Sequence, residues 1–299
     1  MGGSLVVVGF NHWLLTRRRY TTVGGKASYG EALDLGKWKG VLFVICILFF
    51  AVTSLFPLMT LLGTSLLKSY AVGWRFGNFG FSKYLYVLRD LEITRHALIN
   101  STLLAVCCAT LGTAAGFFAA YFEIRERKRG GQILQSLVTL PYATPGIVVA
   151  VAMILAFSGQ FGLNLYNTLW ILGAAYFAKY LNFSARSIAA ALVQVDISLE
   201  EAGWMCGAGW LRSIRDILLP AVKPALIGSW FLIFMPVFSE LTMSILLYGP
   251  GTETVGTVLF ELQNYADPQA GAVLAMVVVV LVLTSNGLVK WATEGKYGF

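Results

Sequence analysis

Charge is scarce in this chain. Only 12% of its 299 residues are Asp, Glu, Lys or Arg, against about 25% in ordinary soluble domains. Histidine is scarcer: His12 and His96 are the full set, and neither lies near a candidate nucleophile, which argues against an intramembrane Ser/His hydrolase. The four cysteines are too few for a disulfide scaffold and show no metal-ligand spacing. Cys46, Cys107 and Cys108 lie in apolar runs, so the cysteines, Cys206 included, are expected as small core residues. No H-E-x-x-H or G-x-S-x-G occurs. Each Gly-Lys pair fails as a phosphate-binding loop; Gly25-Lys26 is followed by Ala27 and has Tyr20 where the first glycine should stand. No cofactor or metal is expected, and ATP is not bound by that route. A hydrophobic content of 57% excludes disorder, and it is more than one soluble core of this size could hide. The membrane is the remaining solvent.

Long apolar runs bear this out. A spanning helix needs about 20 mostly apolar residues. Val41–Leu62 and Ala97–Phe122 carry no charge. Gly130–Ala178 is uncharged but too long for one span; Pro141, Pro145 and the Ser158–Gly162 break divide it into helices near 133–157 and 164–183. Pro224–Tyr248 is broken by a single acid, Glu240, and Ala270–Val289 supplies the last run. The expectation is an all-α integral membrane protein of six transmembrane helices over 41–299, after an N-terminal segment, 1–40. Within that segment Gly2–Leu15 is short for a span and precedes Arg17-Arg18-Arg19, the reverse of a signal peptide's order. It reads as the tail of a preceding helix.

A formal net charge of +7 would suit nucleic acid, but the basic residues fall between apolar runs instead of on one face. Loop by loop, sixteen of the 22 Lys and Arg gather on one side, around 17–39, 125–129, 186–223 and 290–296. Five, from Lys68 to Arg95, lie opposite. The positive-inside rule then places both termini in the cytoplasm. Lys179, near the end of the fourth run, can snorkel to the interface.

The loop after the fourth span is the most informative segment. Ser198 followed by Glu201 has the spacing of a capping box, which predicts a short helix from about Leu199. Gly207 is placed to end it, and Pro220 sits where a new helix would begin. Local physics leaves a solvated loop with ordinary caps equally open.

The spacing Glu201-Ala202-Gly203, three residues, Gly207, nine residues, Ile217-x-Leu219-Pro220 resembles the "EAA" signature of permease subunits in binding-protein-dependent ABC importers. Gly203 stands where the family pattern has alanine. The likeness extends to Asn100-Ser101, Leu140-Pro141 and the stretch from Glu201 to about Lys290. The segments 234–241 and 247–254 look most like ferric-iron permeases, and 17–38 resembles the connector between the halves of a fused ferric permease. The resemblance implies a C-terminal permease half that pairs with a second half and lies in a bacterial inner membrane. Its partners would be two cytoplasmic ATPase subunits, a periplasmic or lipid-anchored binding protein, and lipid, with no nucleic acid. It also implies a coupling loop of Ser198, Glu200, Glu201, Ala202, Gly203, Gly207, Ile217, Leu219 and Pro220, and no catalytic site of its own. Ferric iron leads as cargo, with polyamine, thiamine and aminophosphonate as rivals.

Glu240 stands apart. A carboxylate within a span costs about 2.5–3.5 kcal/mol on insertion scales, so it must face a cavity or a partner. Helical rise would put it about 25 Å beyond Lys223. It reads equally as a carboxylate on the substrate path or as a structural acid bonded to a neighbouring helix. Pro236, one turn earlier, would kink its helix. A secondary transporter using Glu240 for ion coupling is the reading from another class; it predicts inverted repeats, and none are visible.

Overall fold

The computed structural model describes residue 36 and residues 38–125, 129–159 and 162–292. The expectations for 1–35, Lys37, Arg127, Lys128 and Lys296 lie outside the described residues. Among these residues the regular structure is helical, with two isolated bridges, Leu67–Phe79 and Ser158–Asn164. Helices are the form in which an apolar segment satisfies its own backbone polar groups without water.

The chain divides into two units, Met1–Ser54 and Leu55–Phe299. The first contains α1 (Trp38–Phe50), an apolar helix without a buried residue. The second contains the bundle. Its elements are α2 (Phe56–Leu66), α3 (Ser82–Leu85), α4 (Glu92–Arg125), α5 (Arg129–Ala143), α6 (Gly146–Phe157) and α7 (Leu169–Gln194). There follow α8 (Ser198–Met205), α9 (Trp210–Ser213), α10 (Leu219–Ala221), α11 (Lys223–Phe238), α12 (Ser244–Leu247), α13 (Val255–Glu261) and α14 (Pro268–Ala292).

Among the described residues, three helical runs are long and apolar enough to cross a membrane alone: Trp38–Leu66, Glu92–Arg125 and Pro268–Leu288. Two bent pairs bring the number to five. The one expected span left over, the fourth, corresponds to α7, which is long enough, with 26 residues, but carries Lys179, Asn182 and Arg186. The helices also run past their apolar limits. α4 extends over 34 residues and α7 continues to Gln194, so Arg186, assigned to a loop from the sequence, lies inside a helix.

The expected helix over 133–157 is two helices. Ile133–Ala143 and Gly146–Phe157 meet at 108°, because Pro145 removes an N–H and steers Thr144 out of helical geometry. Trp210–Ala221 and Lys223–Phe238 likewise meet at 76°. Pro220 therefore lies within a helical stretch, and the new helix begins at Lys223, three residues later than expected.

The main core is built from α4, α7 and α11, with Leu104, Ala105, Ile171, Leu172, Ile233 and Phe238 buried among them. Close approach rests on glycine. A Cβ on Gly112 would stand 2.8 Å from Ile233 Cδ1, and one on Gly116 would overlap Ser184. Ser184 Oγ donates to Gly112 O at 2.7 Å across this contact. Of the cysteines only Cys108 is buried; Cys46, Cys107 and Cys206 are exposed, which corrects the core assignment. An apolar run has apolar residues on every face, so membership in it does not imply burial in protein. Farther along α4, Asn100 Nδ2 donates to Gly251 O and Glu253 O, and Ser101 Oγ accepts from Val255 N. These bonds hold the 249–255 loop in place.

Candidate functional site

A second core joins one end of α4 and α7 to the α9–α11 segment, with Phe117, Tyr121, Ile188, Leu192, Ile214, Leu218 and Val222 buried. α8 lies at this end of the bundle. Its first turn differs from the expected capping box. Ile197 is the residue before the helix, and no side chain caps the end. Asp196 Oδ1 instead accepts from Ser198 N at 2.9 Å. The backbone and side chain of Ser198, with Arg125 nearby, hold the Asp196 carboxyl below the usual range against a small opposing effect of burial.

The C-terminus of α8 closes on Gly207, whose φ of +82° is costly for any residue with a Cβ. Gly207 N donates to Trp204 O at 2.9 Å, and Ala208 N to Gly203 O at 3.0 Å. This is the Schellman arrangement, which satisfies the last carbonyls and reverses the chain sharply.

Two contacts fix α8 to the bundle. Glu200 is 2% exposed, and its Oε1 meets Arg125 Nε at 2.6 Å as an ion pair without hydrogen-bond angles. Arg125, the last residue of α4, also donates through Nη2 to Val195 O at 3.0 Å. A charge pair of this burial is tolerated only when both members are partnered. The second contact is Gly203 against Ile217, where a Cβ on the glycine would stand 2.7 Å from Ile217 Cδ1. Glycine in place of alanine thus seats α8 more closely on the following helix. Trp210 Nε1 donates to Tyr121 Oη at 3.0 Å and ties α9 to α4.

Glu201, Ala202, Leu199, Trp204 and Met205 are exposed, Met205 by 89%. Leu219 packs partly against the second core, while Pro220 is exposed. The sequence-derived residues therefore split: Gly203 meets Ile217, Glu200 turns inward, and Glu201 and Ala202 face outward. Arg125, Val195 and Tyr121 were missed. Arg125 had been counted only as a basic loop residue; its position as the final residue of a long helix was the available signal.

Glu240 lies elsewhere, beyond the end of α11 at Phe238, on an irregular link. The 224–248 run is therefore not one helix. Its carboxylate is buried and doubly bonded: Tyr180 Oη donates to Oε2 at 2.5 Å, and Met243 N to Oε1 at 2.9 Å. Pro236 is accommodated inside α11.

The sequence model described as "Binding-protein-dependent transport system inner membrane component" matches residues 112–294. The chain is 25% identical, over 94% of its own length, to the ferric transport system permease protein FbpB of Actinobacillus pleuropneumoniae, of which it spans 40%. It is 25% identical over 81% of its length to the spermidine/putrescine transport system permease protein PotC of Escherichia coli K12, of which it covers 91%. Among solved structures, a chain of a bacterial ABC transporter involved in import of the acidic polysaccharide alginate superposes with a TM-score of 0.66. The identity is 18%, with 84% of this chain and 94% of that chain covered. A chain of the MetNI methionine ABC transporter, inward-facing, superposes with a TM-score of 0.55 at 16% identity, with 71% of this chain and 99% of that chain covered.

Proposed function

The chain belongs to the family of binding-protein-dependent transport system inner membrane components, and from that premise we propose that it carries solute inward as one half of an ATP-driven permease. The second half is another permease domain, two ATPase subunits sit beneath the pair, and a binding protein delivers cargo from outside. Both termini face the cytoplasm. The chain itself performs no covalent chemistry.

The observation that carries this reading is α8. Its outward face, with Leu199, Ala202, Trp204 and Met205, is free to enter a groove on an ATPase. Its inward face is fixed to α4 through Arg125–Glu200 and to the α9–α11 segment through Gly203–Ile217. A displacement of α8 by the closing ATPases therefore moves α4 and α11 together. Such a switch responds only by the difference in ATPase affinity between its two states.

Ferric iron leads as cargo, supported by the FbpB likeness over nearly the whole chain, with polyamine as the rival from the PotC likeness. Glu240 acts as a structural acid that holds α7 to the segment after α11. Cysteine placed at Ala202, on the outward face, should crosslink to an ATPase subunit in the assembled complex. Absence of any such crosslink would remove α8 as the contact.

A further inference from the structure

Lys179 lies well inside a helix, not at its end. Because α7 runs from Leu169 to Gln194, Lys179 is its eleventh residue, about 15 Å from one end and about 22 Å from the other. Its ammonium does not snorkel outward. A Cβ built on Gly146 would stand 2.8 Å from Nζ, 3.1 Å from Thr242 Cβ and 3.4 Å from Met243 Cγ. The charge thus sits where α6 begins, at the 108° break after Thr144-Pro145, and glycine at 146 leaves room for it.

The polar groups around it already have partners. Glu240, the one acid in the apolar runs, accepts from Tyr180 Oη and Met243 N. Asn182, one turn along α7, accepts from Thr139 Oγ1 at 3.1 Å. No Asp or Glu among the described residues lies within 4.0 Å of Lys179 Nζ. This part of the bundle thus holds a carboxylate, Glu240, that accepts two hydrogen bonds, and an ammonium, Lys179, without an acid partner among the described residues, close to exposed Thr242. Ionisable groups kept at such depth mark pathways, since an ammonium without a role is selected against by its desolvation.

We propose that Lys179 is a cargo-recognition residue, and that the transported solute presents an oxyanion to it: a carboxylate, a phosphonate, or the anionic shell of a metal chelate. This rests on the importer reading and narrows it. An iron cargo crosses as an anionic complex, because a bare trivalent cation would be repelled by Lys179 and find no open carboxylate at Glu240. Tyr180, adjacent to Lys179 in sequence and fixed by Glu240, is a positioning residue for this wall of the path.

The test uses the complete transporter, with its own ATPase and binding protein, in proteoliposomes. Uptake of ferric citrate, 2-aminoethylphosphonate and spermidine is measured per folded complex. The expected result is ATP-driven uptake of one of the two oxyanion probes, at least about ten-fold above spermidine; which of the two is carried distinguishes chelate from phosphonate. Lys179→Met should then cut kcat/KM for that probe by about ten-fold or more, with Lys179→Arg restoring most of it. Preferential uptake of spermidine by the wild type, or unchanged oxyanion uptake in Lys179→Met, would overturn the assignment. If Lys179→Met does not assemble, the wild-type preference alone decides. Failure of all three probes, with no ATPase copurifying, would strike the importer reading and this inference with it.

Discussion

Arg125 and Glu200 meet at 2.6 Å with side chains 11% and 2% exposed, so the last residue of α4 and the third residue of α8 share one buried charge pair. The pair makes α8 an extension of the transmembrane bundle instead of an independent surface helix. Burial has removed solvent screening, so the consequence of breaking it is larger than for a surface pair.

Glu200→Ala should destabilise the chain by about 3–5 kcal/mol by leaving Arg125 buried and uncompensated. Replacing both partners by apolar residues, Arg125→Met with Glu200→Leu, should recover most of that loss. Thermal unfolding of the purified complex reads both. Equal losses for single and double variants would mean that the pair contributes nothing as a pair.

Gly207 separates backbone strain from steric bulk, because a Cβ there meets nothing within 4 Å. Gly207→Val should cost about 1–2 kcal/mol through the left-handed backbone alone and uncouple ATP hydrolysis from uptake. Gly207→Asn, which tolerates that region, should retain most coupling. Coupling ratios in proteoliposomes distinguish the two.

Glu240→Gln should lower thermal stability by about 1–3 kcal/mol, since a charged acceptor of two hydrogen bonds becomes a neutral amide. Tyr180→Phe should cost a similar amount, and the two changes together less than their sum. Uptake per folded molecule should change little. A ten-fold fall in uptake with unchanged stability would instead put the Glu240 charge on the path.

Asp267 caps α14, accepting at Oδ1 from Gln269 N and Ala270 N, while Oδ2 meets Lys83 Nζ at 2.6 Å. Burial acts to raise its pKa, but the Lys83 hydrogen bond and charge and the two N–H groups outweigh this and hold the carboxyl below the usual carboxylate range. A depressed folded pKa contributes stability that is present above the ordinary value and is lost as pH falls through the folded value. Lys83→Met should therefore move the acid limb of the stability curve upward in pH, measured by unfolding between pH 3 and 6 (about the range that brackets carboxylate titration). An unshifted acid limb would sink the assignment.

Composition alone was enough to make the membrane this chain's solvent, since scarce charge and long apolar runs admit little else. Spacing was enough to locate the turn at Gly207, because a left-handed residue after a short helix is a local requirement. The tertiary structure decided which face of each element meets protein. Glu200 and Glu201 are neighbours in sequence, yet one is buried against Arg125 and the other is exposed. Lys179 moved from a helix end to mid-helix because α7 continues through Arg186, held by Glu123 and by packing against α4. The 108° break turned one expected span into two helices and gave that lysine a place to face. For the membrane helices the physical reason is the solvent itself. In lipid both faces of a helix are apolar, so the periodicity that tells inside from outside in water is erased. Only contacts between distant segments restore it.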